Sequence, residues 1–171
     1  MRQPKPDRVP LSATTPLPLN PVAPLLESLA LHFSVSHQDP RLLIFGLSGT
    51  TGRFPGPCRF DQYNQLVILN FIIPIFALPT ARAETLRLLN WLNQKLPGPA
   101  FRLDFDDGEI AFRHALAHTP AAPLSLAHLQ HALALSLDTL ETTLHIILDV
   151  ALGRLTSQQA IAHACPKSGA N

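Results

Sequence analysis

The hydrophobic positions of this chain change period several times, and each change marks an element. Leu25, Leu26, Leu29 and Phe33 recur every three or four residues, which predicts a helix from Pro21 to about Phe33, with Asn20 as N-cap and Pro21 in the first helical position. Beyond Asp39 and Pro40 the apolar run Leu42–Leu47 predicts a strand, and the Gly/Pro-rich stretch from Gly49 to Pro57 predicts a loop that breaks it. Two more strands are expected at about Cys58–Tyr63 and Leu66–Ile73, joined around Asn64 and closed by Pro74. The second is nearly all apolar, which places it centrally in a sheet, with a helix on one face and a neighbour on the other.

Thr80 is the expected cap of a second helix, Ala81 to Leu96, whose apolar stripe is Leu86, Leu89, Leu92 and Leu96, with Pro97-Gly98 as its stop. A period of two then takes over. Phe101, Leu103 and Phe105 alternate with Arg102, Asp104 and Asp106, and Ile110 and Phe112 continue the pattern beyond a turn at Asp107-Gly108. The expected register sets Phe105 opposite Ile110, Leu103 opposite Phe112 and Phe101 opposite His114, so Arg102 faces Arg113 as a like-charge pair. From Ser125 the helical period returns through Leu126, Leu129, Leu133, Leu137, Leu140, Leu144 and Ile147 to Gly153. One unbroken helix from Leu126 to Leu152 would be about 40 Å long. Asp138-Thr139-Leu140-Glu141 has the form of an internal capping box, so two shorter helices are the alternative. A second box, Thr156 to Gln159, predicts a last short helix. The order is α-β-β-β-α-β-β-α plus that appendix, an α+β fold with an antiparallel sheet packed against helices.

Length and composition bound this picture. The 171 residues, 46% of them hydrophobic, suffice for one ordinary core and require no second domain. The expected domain spans residues 21–165, after a disordered proline-rich lead (1–20) and before a flexible tail (166–171). Pro18, Pro21 and Pro24 in the lead have PxxP spacing but no adjacent basic residue, so a linker is the expected reading. A net charge of +1, from 13 basic and 12 acidic residues, disfavours nucleic acid as a partner, and near neutrality eases self-association. Cys58 and Cys165 form no disulfide framework, which points to a reducing compartment. No apolar signal region precedes residue 24, and the apolar run Leu66–Leu78 is interrupted by Asn70 and Pro74. A cytoplasmic protein without membrane insertion is expected.

Candidate chemistry is sparse. His128 with His131, and His114 with His118, each share a face, but neither pair has a cysteine or carboxylate at ligand spacing. Asp104, Asp106, Asp107 and Glu109 lack the calcium-loop pattern and suit a hairpin turn. Leu47-Ser48-Gly49-Thr50 is no nucleophile elbow, and Gly46, Gly49, Gly52 and Gly56 match no phosphate-binding loop. No catalytic, cofactor-binding or metal-binding residue is therefore expected, and no cofactor. The candidate partner-binding residues are Trp91, as a core or interface anchor, and Arg102 and Arg113, at the rim of an apolar surface along the second helix and the sheet. The arginines either meet acidic groups of a bound segment or second subunit, or stand solvated beside an acid such as Asp104.

The order of elements, the run LLNWLNQKLPGPAFRLDFDDGEIAFRHAL and the ending from Gly153 to Ile161 resemble YbjN-domain proteins, a family similar in fold to the type III secretion chaperones. The resemblance covers about Pro21 to His163 and is carried most specifically by Asn90, the Phe-Arg-Leu-Asp-x-x-Asp-Gly-Glu hairpin and the terminal Ala-Ile helix. It implies an α+β sandwich, a homodimer, and a binding or regulatory role without catalytic residues. The proline-rich lead and the long apolar strand at 66–73 depart from the pattern and leave the partner open. The expected function is a non-enzymatic protein-binding or regulatory module with a protein or peptide client. The alternative is a small-molecule sensor holding an apolar ligand between helix and sheet.

Overall fold

Alternation of apolar side chains builds one antiparallel sheet of six strands: β1 (Ser34–Val35), β2 (Leu42–Ser48), β3 (Arg53–Asp61), β4 (Leu66–Phe76), β5 (Ala100–Leu103) and β6 (Glu109–Ala117). Their spatial order is β1-β2-β3-β4-β6-β5. The computed structural model describes residues 20–164; the proline-rich lead, the tail and Cys165 lie outside the described residues. Four helices complete the fold: α1 (Ala23–Ser28), α2 (Arg82–Asn93), α3 (Leu126–Ala151) and α4 (Ser157–Ala164). The expected α+β order holds, with β1 added at the sheet edge.

On β4, Val67, Leu69, Phe71 and Ile73 are buried, while Leu66, Ile68, Asn70 and Ile72 between them are only half-buried. On β3 the buried positions are Phe54, Gly56 and Cys58, and on β6 they include Ile110, Phe112 and His114. The helices thus cover one face of the sheet, where α3 touches β2, β4 and β6 while also packing on α2 and α4. Phe45 and Phe71 meet edge to face with ring centres 5.8 Å apart, and Phe101 and Phe112 are tilted at 4.8 Å. Among the described residues, the strand expected to have a cover on both faces has one only.

Five expectations are corrected. The first helix ends at Ser28, because Ala30 takes the left-handed conformation (φ 54°) and the Leu31 N–H closes back onto the Leu26 carbonyl. The helix also starts later than expected, at Ala23 behind Val22, although the buried Asn20 does accept the Val22 N–H at its side-chain oxygen (3.0 Å), and its amide donates to the Arg41 and Cys58 carbonyls, tying the chain to β2 and β3. The Gly/Pro-rich segment is strand from Arg53 onward. The Phe60 N–H donates to the Arg41 carbonyl, so even-numbered residues of β3 point their donors at β2 and the missing donors of Pro55 and Pro57 fall on the β4 side. The β3–β4 ladder accordingly stops at Cys58. Gly56 lets the two backbones close in there, since a Cβ on it would collide with the Asn70 carbonyl oxygen.

The last two corrections concern α2 and the hairpin register. α2 begins at Arg82 behind Ala81, so Thr80 does not cap it, and its buried stripe is Thr85, Leu88, Leu89 and Leu92, which leaves Leu86 exposed. Of the two alternatives left open for the long helix, α3 takes the continuous one: Thr139, Thr142 and Thr143 return their hydroxyls to carbonyls one turn back, and Glu141 reaches the Thr50–Thr51 loop rather than closing a capping box. In the hairpin, Leu103 pairs with Ile110 and Phe101 with Phe112, two residues away from the expected register. The same side chains stay on each face, but Phe105 falls in the turn and Arg102 lies opposite Ala111 instead of Arg113. The reciprocal Thr156–Gln159 box forms as expected, and Ser125 caps α3 by accepting the His128 N–H.

Candidate functional site

The uncovered face of the sheet is assembled from alternate residues of every long strand. The pairings align Leu42, Arg59, Ile68 and Ala115 in one row across β2, β3, β4 and β6. Arg113 is paired with Asn70 on β4 and Ala100 on β5, and Arg102 with Ala111, itself paired with Ile72. Pro55 and Pro57 lie on the same face of β3, opposite Gly46 and Ile44 of β2. The face is therefore an aliphatic floor of Ile44, Pro55, Pro57, Ile68, Ile72 and Ala115, with Asn70 as its central polar group.

Four arginines stand on this floor: Arg53 and Arg59 from β3, Arg102 from β5 and Arg113 from β6. Ion pairs among the described residues join Arg41 to Asp39, Arg87 to Glu84 and Arg154 to Asp149, so none of the four has a carboxylate within 4.0 Å. Asp104, the neighbour expected to neutralise Arg102, instead accepts from the Asp106 N–H inside its own turn. Asp61 is likewise occupied by the Asn64 side chain and the backbone of the Tyr63–Asn64 turn, and those bonds hold its carboxyl below the usual range. A cleft of about 350 Å³ opens beside Asn70, Arg102, Asp104, Glu109 and Ala111.

Arg102 and Arg113 are thus brought to one face, as expected, but diagonally. Trp91 is not with them. It belongs to the helix layer, half-buried against the core, with the Lys95 ammonium 3.5 Å above its ring. Sequence reasoning missed Arg53 and Arg59, which fell in or beside the segment read as loop, and missed Ile68 and Ile72, hidden in a strand apolar at nearly every position. Alternation of Arg53, Pro55, Pro57 and Arg59 with Phe54, Gly56, Cys58 and Phe60 was the available signal.

The polar groups on the helix side are structural. Cys58 is a buried free thiol whose burial pushes its pKa up to about 12, far from a thiolate. Burial also holds His114 below the ordinary histidine range, with Ser136 Oγ 3.4 Å from its Nδ1. Glu84 accepts from both Ser157 N–H and Oγ–H at the start of α4, and these bonds lower its pKa. Among the described residues no group of three or more His, Cys, Asp or Glu is arranged to hold a metal ion. No helix among them is long and apolar enough to cross a membrane.

Residues 18–145 match the YbjN family model, described as "Putative bacterial sensory transduction regulator". The chain belongs to the YbjN family. A search of curated proteins finds no match to it. The YbjN match contains all four arginines and the aliphatic floor, and it ends within α3, before α4.

Proposed function

We propose that this YbjN protein is a regulator that acts by binding another protein, without catalysis, in the manner of a secretion-chaperone-like module in the cytoplasm. The observation that carries this reading is the uncovered sheet face. An aliphatic floor spanning four strands, flanked by cations without carboxylate partners among the described residues, is surface that a folded chain ordinarily covers or uses. A second apolar cluster supports a homodimer: Phe76, Leu78, Leu86 and Phe105 are all 44–59% exposed and lie at the hairpin end of the molecule. The Ala77 N–H bonds to the Gly108 carbonyl there, and Arg82, one turn before Leu86, donates to the Phe105 carbonyl.

A second reading rests on a cavity of about 320 Å³ between α2, β5 and α3, walled by Leu92, Leu96, Phe101 and Leu135, with Lys95 and Asp138 also lining it. In that reading an apolar metabolite binds between helix and sheet and the protein senses it. Native mass spectrometry of the protein recovered gently from its own host separates the two. A stoichiometric polypeptide on a dimer is the result expected. A reproducible small added mass, with a ligand-dependent rise in melting temperature and no polypeptide, would replace the first reading by the second.

A further inference from the structure

We infer that the open sheet face receives an amphipathic helix of a partner protein, its apolar stripe flanked on both sides by carboxylates and lying along β4. This rests on the protein-binding reading and names the chemistry of the partner. The argument is one of width and charge. Strands lie about 4.8 Å apart, so, measured across the sheet, the β3 rail lies about 10 Å from the β6 strand that carries Arg113 and about 14 Å from the β5 strand that carries Arg102. Between these two rails run Ile68, Asn70 and Ile72 of β4, with Pro55 and Pro57 on one side and Ala111 and Ala115 on the other. An α-helix with its side chains is about 10–12 Å across. One helix fits the lane, its apolar stripe on the isoleucines and its flanking side chains level with the arginines.

The charges select among occupants. Four guanidinium groups without carboxylate partners among the described residues call for anions placed on both edges, and a planar guanidinium pairs best with a carboxylate fork. A second copy of this face would bring the same arginines against each other across a dyad. The chain's own residues 1–19 carry Arg2, Lys5 and Arg8 against Asp7 alone, the same sign as the rails. Single-stranded nucleic acid uses aromatic platforms, and this floor is aliphatic. A bilayer is entered by protruding apolar side chains, whereas Ile68 and Ile72 are half-buried in the sheet.

The test places the photo-cross-linking residue p-benzoylphenylalanine at Ala115, on the lane, and separately at exposed Gln130 on α3, in the full chain expressed in its host. The linked segment is then sequenced by mass spectrometry. Expected is a link from position 115 and not from 130, to a segment with apolar residues at helical spacing flanked by Asp or Glu. Arg59→Glu with Arg113→Glu should reduce the yield about tenfold or more, and Arg59→Lys with Arg113→Lys should retain it, both at unchanged melting temperature. A link to this chain itself, to lipid, to nucleic acid or to a segment without flanking acids overturns the inference. If position 115 links to nothing while native mass spectrometry still finds a polypeptide, the inference falls and the protein-binding reading stands.

Discussion

The two faces of β4 carry the same kind of residue and have opposite surroundings. Val67, Leu69, Phe71 and Ile73 are at most 1% exposed under the helices, while Ile68 and Ile72, one residue along, are half-buried under no element of the described residues. Hydrophobicity alone does not separate them; what lies on their cross-strand neighbours does. The covered face continues into Phe45, Phe101 and Phe112, and the open face into arginine, proline and alanine. Large rings filling space point to a core, whereas small or rigid apolar groups among unpaired cations leave room for something outside the chain.

The sharpest way to strain this comparison is at the covered face. Phe71→Ala removes a fully buried ring that meets Phe45, and unfolding in urea should show a loss of about 3–5 kcal/mol. A loss below about 1 kcal/mol would mean that this face is not the core. Gly56→Ala forces the β3 and β4 backbones apart at Asn70, and the same measurement should register about 3 kcal/mol. Asn93 marks a third contrast, between covered and open sheet edges. Its side chain accepts from the Phe101 N–H at 2.7 Å and donates to the Phe101 carbonyl at 3.0 Å, standing in for the strand that β5 lacks. Asn93→Ala should lower stability by about 1–2 kcal/mol and raise concentration-dependent association in sedimentation.

The smallest effect is on pH dependence. His114 lies on the covered side of β6 with its pKa depressed by burial, His131 adding to the depression. The unfolded chain binds the proton more readily, so stability is complete above the unfolded value near 6.5 and is lost as pH falls from there through the lower folded value. His114→Gln should flatten urea midpoints over that window. The carboxylates of Glu84 and Glu141, also depressed by hydrogen bonds, act in a more acidic window, below their ordinary 4.5. A slope near pH 6 that survives the His114 substitution would assign it to another group.

Much of this division was legible in the chain. The helical period placed α3 from Ser125 onward, and the alternation Phe101, Leu103, Ile110, Phe112 put the right side chains on the buried face of the hairpin. Its register slipped by two because Asp104 and Asp107 take up backbone donors of the turn and widen it. The end of α1 was hidden because an alanine, Ala30, takes the place where glycine usually signals a stop. The arginine face was legible only in half. Arg102 and Arg113 sat in clear alternation, whereas Arg53 and Arg59 were masked by two prolines and a glycine whose use in a strand depends on which side each missing donor or Cβ falls.

The central claim is that the two faces of one strand have separate duties, and Ile72→Asp tests it most directly. Ile72 is next to Phe71 on β4 and pairs with Ala111 on the open face. The account predicts a stability within about 1 kcal/mol of the parent, since the new carboxylate faces the open side of the sheet, together with loss of the polypeptide expected on the parent protein in native mass spectrometry. Retention of that polypeptide by a folded Ile72→Asp protein, or collapse of the fold to the extent caused by Phe71→Ala, would contradict it.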